Sequence, residues 1–126
     1  MDVPREEYSM DKKNVLLDIL RPFGIVSQYA GCAQLIRAVE LTLENPDAIQ
    51  AVHKQIYAVI AKEYGIQPKS VESNIRTVSA VAWATDPVRL KKVAGFSLHG
   101  QPSAVEFIEI FSNYMQRKDM KETVHS

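Results

Sequence analysis

The chain has 126 residues, 46% apolar and 24% charged, and its 15 basic and 15 acidic side chains cancel to a formal net charge of zero. That length and composition fit one globular domain with a genuine core. They exclude a transmembrane helix, since no uninterrupted apolar run is long enough, and the charged opening MDVPREEYSMDKK has no hydrophobic signal core. A single cysteine, Cys32, cannot form an internal disulfide, so a reducing cytoplasm is the expected compartment.

Residues 1–9 read as a loose N-terminus and residues 118–126 as a loose polar tail, leaving 10–117 as the folded unit. Met10 to Leu20 reads as a helix with Val15, Leu16, Ile19 and Leu20 inward, ended by Arg21-Pro22-Phe23-Gly24. Ser27 is the expected cap of the next helix, which runs through Leu35, Ile36, Val39 and Leu43 to about Glu44. Asn45-Pro46-Asp47 is a turn, and Asn45 or Asp47 caps a helix through Val52, Ile56, Val59 and Ile60. Asp86 and Pro87 start a short helix to about Ala94. Gly95 to Gln101 is a loop or brief extended segment. Pro102 to Arg117 closes the chain as an amphipathic helix with Val105, Ile108, Phe111 and Met115 inward. No alternating strand pattern stands out. The predicted fold is all-α, a compact bundle of about six helices.

Between these elements lies the segment that carries chemistry, IYAVIAKEYGIQPKSVESNIRTVSAVAW from Ile56 to Trp83. Ile56, Val59, Ile60 and Tyr64 recur at helical intervals, with small Ala61 beside them. Gly65 follows at once, where a left-handed residue lets the chain reverse, and Ile66 can plug the turn into the core. Pro68 suits a first helical position. A second helix, about 68–83, then buries Val71, Ile75, Val78 and Ala82. Its other face shows Lys69, Ser70, Glu72, Ser73, Arg76 and Thr77. This is a helix-turn-helix pattern, in which the second helix enters the DNA major groove. The plain alternative is a helical hairpin in an all-α domain that never touches DNA.

Charge is distributed in favour of the first reading. From His53 to Lys92 there are seven basic residues (Lys54, Lys62, Lys69, Arg76, Arg89, Lys91 and Lys92) against three acidic ones, a net +4 that leaves −4 for the remainder. Arg76 is the candidate base reader, against the alternative of an exposed Arg paired with Glu72 four residues earlier. Glu72 either accepts from a cytosine amine or orients Arg76. Lys69, Ser70, Ser73 and Thr77 are candidates for phosphates or bases, and Lys62, Arg89, Lys91 and Lys92 for phosphates. Each of these could equally be solvated surface.

Other chemistries find no support. His53, His99 and His125 lie far apart without ligand partners, so neither a metal nor another cofactor is expected. Cys32 sits between Gly31 and Ala33 as a small packed residue. Trp83, Phe107 and Phe111 extend apolar stripes and read as core. No Gly-rich phosphate loop, carboxylate pair or Gly-x-Ser-x-Gly elbow is present, so no enzyme is expected.

The residues from Val71 to Trp83, VESNIRTVSAVAW, resemble the recognition helix of the C-terminal DNA-binding effector domain of the sporulation initiation response regulator, the stage 0 sporulation protein A family. Val71, Glu72, Ile75, Arg76, Val81, Ala82 and Trp83 match its V-E-x-x-I-R core and V-A-W ending. Ile60-Ala61-Lys62 and Tyr64 resemble the family's I-A-K-x-F. Gly24, Gly31, Leu35 and Ala38 resemble its upstream segment, and Pro102 with Glu106-Phe107-Ile108 its last helix. The resemblance spans roughly Leu17 to Met115. It implies a six-helix domain that binds double-stranded DNA at a short promoter box, pairs as a homodimer on tandem boxes and contacts the RNA polymerase sigma subunit. The family's receiver domain has no counterpart here. The chain is either an excised domain or a stand-alone relative, and the starting Met favours the latter.

Departures from the family pattern bear on the target. Ser70 and Ser73 stand where the family carries arginines, and Gln28 and Ala30 replace a His and a Lys near the start of the second helix. Two lost arginines weaken binding or change the site read. A rival reading follows from these serines and the zero net charge. In it, the chain is an interaction module that dimerises with a regulator or contacts polymerase as an antagonist.

Overall fold

A computed structural model describes the backbone of residues 5–125 and the side chains of residues 12–119. Among the described residues every regular element is helical: α1 (Arg5–Leu20), α2 (Ala30–Glu44), α3 (Ala58–Tyr64), α4 (Pro68–Thr85), α5 (Pro87–Ala94) and α6 (Ala104–His125). The all-α expectation holds. The expected loose ends fall partly on residues 1–4 and 126, which lie outside the described residues, while 5–9 and 118–125 continue α1 and α6. No helix among the described residues is long and apolar enough to cross a membrane.

Local chemistry sets most boundaries. Gly24, Gly65 and Gly95 close their helices at φ of 79°, 66° and 72°, the left-handed region where a missing Cβ removes the steric penalty. Asn45 caps the turn that follows α2 by accepting from the Asp47 amide at 3.2 Å. Asp86 caps α5 by accepting from the Arg89 amide at 3.0 Å. Pro68 and Pro87 occupy first turns, as expected. Ser27, the expected cap of α2, lies instead in a turn closed by the Tyr29 amide on the Val26 carbonyl, and α2 starts after Tyr29 without a side-chain cap. Ser103 and Glu106 form a reciprocal capping box at 3.0 and 3.2 Å, so α6 begins at Ala104 rather than Pro102.

The stretch read as one helix from Asn45 to Tyr64 is broken into three. A 3-10 segment (Pro46–Ala51) passes through Val52 into a π turn (His53–Tyr57), and only then does α3 begin. The wider π turn rotates the following face by roughly a residue's worth. As a result Tyr57 joins Ile56 and Ile60 in the core at 1% exposure, while Tyr64 is 46% exposed.

α2 is the central strut, packed against both α4 and α6. Val71, Ile75, Val78 and Ala82 of α4 are fully buried, as are Leu35, Ala38 and Val39 of α2 and Phe107, Ile108 and Phe111 of α6. Phe111 meets Phe23 and Phe107 edge to face at 6.4 and 5.0 Å, a favoured arrangement of ring quadrupoles. Gly31 lies against the backbone carbonyl of Asn74, so α2 and α4 touch there without an intervening side chain. Polar pins complete the packing. Asn74 donates to Gln34 at 3.1 Å, and buried Ser79 donates to the Pro102 carbonyl at 2.8 Å. Arg37 of α2 binds Glu63 of α3 through two nitrogens at 2.9–3.2 Å.

Candidate nucleic-acid interface

α3, the Gly65 turn and α4 make the helix-turn-helix. Val71, Ile75, Val78 and Ala82 anchor one stripe of α4 in the core. The opposite stripe, at three- and four-residue steps, therefore faces solvent. Lys69, Ser70, Ser73, Arg76 and Thr77 are all exposed there. Glu72 is half-buried at the edge of that face, with its Oε1 3.9 Å from Arg76 Nη2 across one turn. At that distance the pair is loose, and both side chains keep their hydrogen-bonding groups for another partner. Thr77 is less free than its exposure suggests, because its hydroxyl donates to the Ser73 carbonyl at 2.9 Å. Its oxygen can still accept.

The remaining cations divide into two groups. Lys62 is exposed in the last turn of α3. Lys91 lies over the half-buried ring of Trp83, 5.6 Å from its centroid, a cation–π contact. Trp83 is fourteen residues beyond Lys69, so these two points are roughly 21 Å apart along the axis of α4. Arg89 pairs with Asp86 at 3.3 Å and lines a separate groove with Val15, Asp18, Pro22 and Tyr114. Backbone capping by the Arg89 amide, and then the Arg89 guanidinium, hold the Asp86 carboxyl below its usual range. Lys92 is exposed, and its charge acts on Asp86 in the same direction. The α4 residues thus form one surface, and Arg89 lies off it.

Behind that surface is a residue that the spacing argument passed over. Tyr57 is 1% exposed, and its hydroxyl is buried without a hydrogen-bond partner. Burial, reinforced by the Glu72 charge and opposed by Arg76, pushes its phenol up to about 12. Tyr57, Glu72 and Arg76 share a cleft of about 190 Å³ with Ser103, Ala104 and Val105 at the start of α6. Only the π turn brings Tyr57 there, and periodicity does not reveal π turns. Cys32 is buried, and burial raises its thiol, which keeps it protonated and inert. No group of three or more described His, Cys, Asp or Glu residues could hold a metal ion.

A family sequence model described as sporulation initiation factor Spo0A C terminal matches residues 16–115. The match takes in all of α2 to α5, the whole helix-turn-helix and the buried part of α6. The family is one of DNA-binding effector domains in sporulation and transcription regulation, not of enzymes. With residues 16–115 of its 126 matched, the chain belongs to the Spo0A C-terminal family.

Proposed function

We propose that this chain is a sequence-specific DNA-binding transcriptional regulator, with residues 10–117 as the effector unit and α4 as the helix that enters the major groove. Arg76 reads base edges together with Glu72, helped by Ser73 and Lys69. Ser70, Thr77 and Lys62 contact the sugar–phosphate backbone, with Lys91, Lys92 and Arg89 further out. The N-terminus of α4, which no side chain caps, faces a phosphate. A homodimer on adjacent half-sites, paired through α6, and a contact with the polymerase sigma subunit extend the family pattern. The site of action is the cytoplasm. The observation that carries this reading is the single exposed stripe Lys69, Ser73, Arg76, held rigidly by four buried residues on the reverse of the same helix.

Selection from random duplexes tests it. The expected result is one discrete motif, bound with an affinity whose logarithm falls linearly with the logarithm of salt concentration. Binding without sequence preference would overturn it. A second reading is favoured by the two serines at 70 and 73 and by the zero net charge. In it, the chain is an interaction module that pairs with a regulator or with polymerase and opposes it. That reading predicts no selected motif and a stable complex with the protein partner.

A further inference from the structure

Trp83 stands on the same edge of α4 as two of the cations assigned to the reading face. Lys69, Arg76 and Trp83 follow one another at steps of seven residues. Seven residues make two turns, so the three line one edge at intervals of roughly 10 Å. The third place holds an aromatic ring, and its charge comes from another helix: Lys91 of α5 lies over that ring, with Nζ 5.6 Å from the centroid. Among the described residues Lys91 has no carboxylate partner, whereas Arg37 and Arg89 are paired with Glu63 and Asp86. A ring face orients an ammonium without neutralising it, and the donors turned away from the ring stay open. The backbone beneath Lys91 is fixed. Asp86 caps the start of α5, Leu90 and Ala94 are buried on its reverse, and Arg117 donates to the Val93 carbonyl at 2.7 Å near its end.

We propose that Trp83 is a positioning residue for phosphate contact: its indole face holds the Lys91 ammonium at the far end of the α4 edge, where it meets the DNA backbone outside the bases read by Arg76. Trp83 itself touches no DNA in this scheme. A free lysine loses much rotamer freedom when it binds a phosphate, and the ring removes part of that loss beforehand. Lys69 and Trp83 are roughly 21 Å apart along α4, which is about six base steps of 3.4 Å. The held cation therefore lengthens the footprint without adding sequence information. The proposal rests on α4 being the reading helix.

Two measurements separate this role from that assumption. The first needs no DNA: urea unfolding of wild type, Trp83→Leu, Lys91→Met and the double variant. A ring and an ammonium held together give non-additivity of about two- to fivefold in the unfolding constant. Strict additivity overturns the proposal. The second is binding of the selected duplex and of a scrambled one across a salt series. Lys91→Met should weaken both alike and reduce the salt slope by about one. Trp83→Leu should weaken both by about two- to fivefold, and Trp83→Phe should restore part of that. In the Lys91→Met background the ring should no longer matter. A Trp83→Leu loss of equal size in both backgrounds is a structural effect and overturns the proposal, as does a Lys91→Met protein with the wild-type slope. Either result leaves the selected motif, and so the DNA reading, in place. A wild-type chain that selects no motif overturns that reading and this role with it.

Discussion

The guanidinium of Arg37 on α2 holds both carboxylate oxygens of Glu63 on α3, with Nε 3.0 Å from Oε1 and Nη2 2.9 Å from Oε2. The two residues are 26 positions apart, and the pair ties the first helix of the DNA-binding motif to the central strut. Such two-point geometry is the strong form of an ion pair. Hydrogen bonds from Arg37 hold the Glu63 carboxyl below its ordinary value of 4.5. A depressed carboxyl stabilises the fold above the unfolded pKa, and that contribution is lost as pH falls through the folded pKa. Glu63→Ala should therefore cost about 0.5–1 kcal/mol near neutrality, the size expected for a partly exposed pair screened by solvent. The gap between wild type and variant should narrow below pH 4.5 and close once the folded carboxyl protonates. Urea unfolding at about pH 7 and about pH 3 checks both limits. A gap that widens in acid would contradict the assignment.

Gly31 makes the closest approach between α2 and α4. A Cβ built there meets the Asn74 carbonyl oxygen and carbon, which are backbone atoms and cannot swing aside. Gly31→Ala must push the two helices apart or shift the register of the contact. Overpacking of this kind costs about 1–3 kcal/mol or more, and Gly31→Val should cost more still. The same displacement tilts α4, so DNA affinity should fall even in protein that remains folded. Thermal unfolding and duplex binding on the same preparation read both effects. An alanine variant as stable as wild type would show that the contact has slack.

Ser79 is fully buried on α4, and its hydroxyl donates to the Pro102 carbonyl at 2.8 Å, which anchors the segment leading into α6. Ser79→Ala strands that carbonyl away from water. The expected cost is about 1–3 kcal/mol, the penalty of an unsatisfied buried acceptor. Hydrogen exchange gives the local signature: amides at the start of α6 should lose protection more than those of α2.

The motif helices were legible because their signals are local. Pro68, the stripe Val71, Ile75, Val78 and Ala82, and the Gly65 turn lie where the spacing placed them. Asp86 caps its own helix through a contact three residues long. What escaped was set by tertiary packing or by helix pitch. The π turn at His53–Tyr57 changes which side chains face inward without changing composition, so Tyr64 was read inward and Tyr57 was missed. Arg37 and Glu63 find one another only after two helices pack. The capping box of Ser103 and Glu106 was written in the sequence as S-A-V-E, but Pro102 drew the helix start two residues early. Candidate cations were legible as a local excess of charge. Their partition was not, because Arg89 turns to Asp86 and the α1–α6 groove.

Base reading and phosphate contact have different signatures, and two substitutions separate them. Arg76 is exposed on the α4 face, so Arg76→Ala should leave stability nearly unchanged. It should remove discrimination at one or two base positions, by about 1–3 kcal/mol each. Lys62→Ala should weaken all duplexes alike and reduce the salt slope by about one. The measurement is affinity for a panel of single-base variants at several salt concentrations. An Arg76→Ala protein that ranks the panel as wild type does would remove Arg76 from the base-reading set.

Ser70 and Ser73 offer the opposite experiment, a gain. Both are exposed on the reading face, and their side chains enter no hydrogen bond that would be broken by replacement. Arginine is also the better helix former, so Ser70→Arg with Ser73→Arg should not lower stability. Two added charges on a groove-facing helix should strengthen binding and steepen the dependence of log affinity on log salt by up to about two. If the new side chains reach guanine, the selected motif changes as well, since each paired contact adds about 1–3 kcal/mol of preference. The comparison that matters is between the two curves rather than the affinity at one salt. A change in slope with an unchanged motif means that the serines face phosphates. A changed motif means that they face bases. Absence of any gain means that this end of α4 does not approach DNA, and the interaction-module reading then takes precedence.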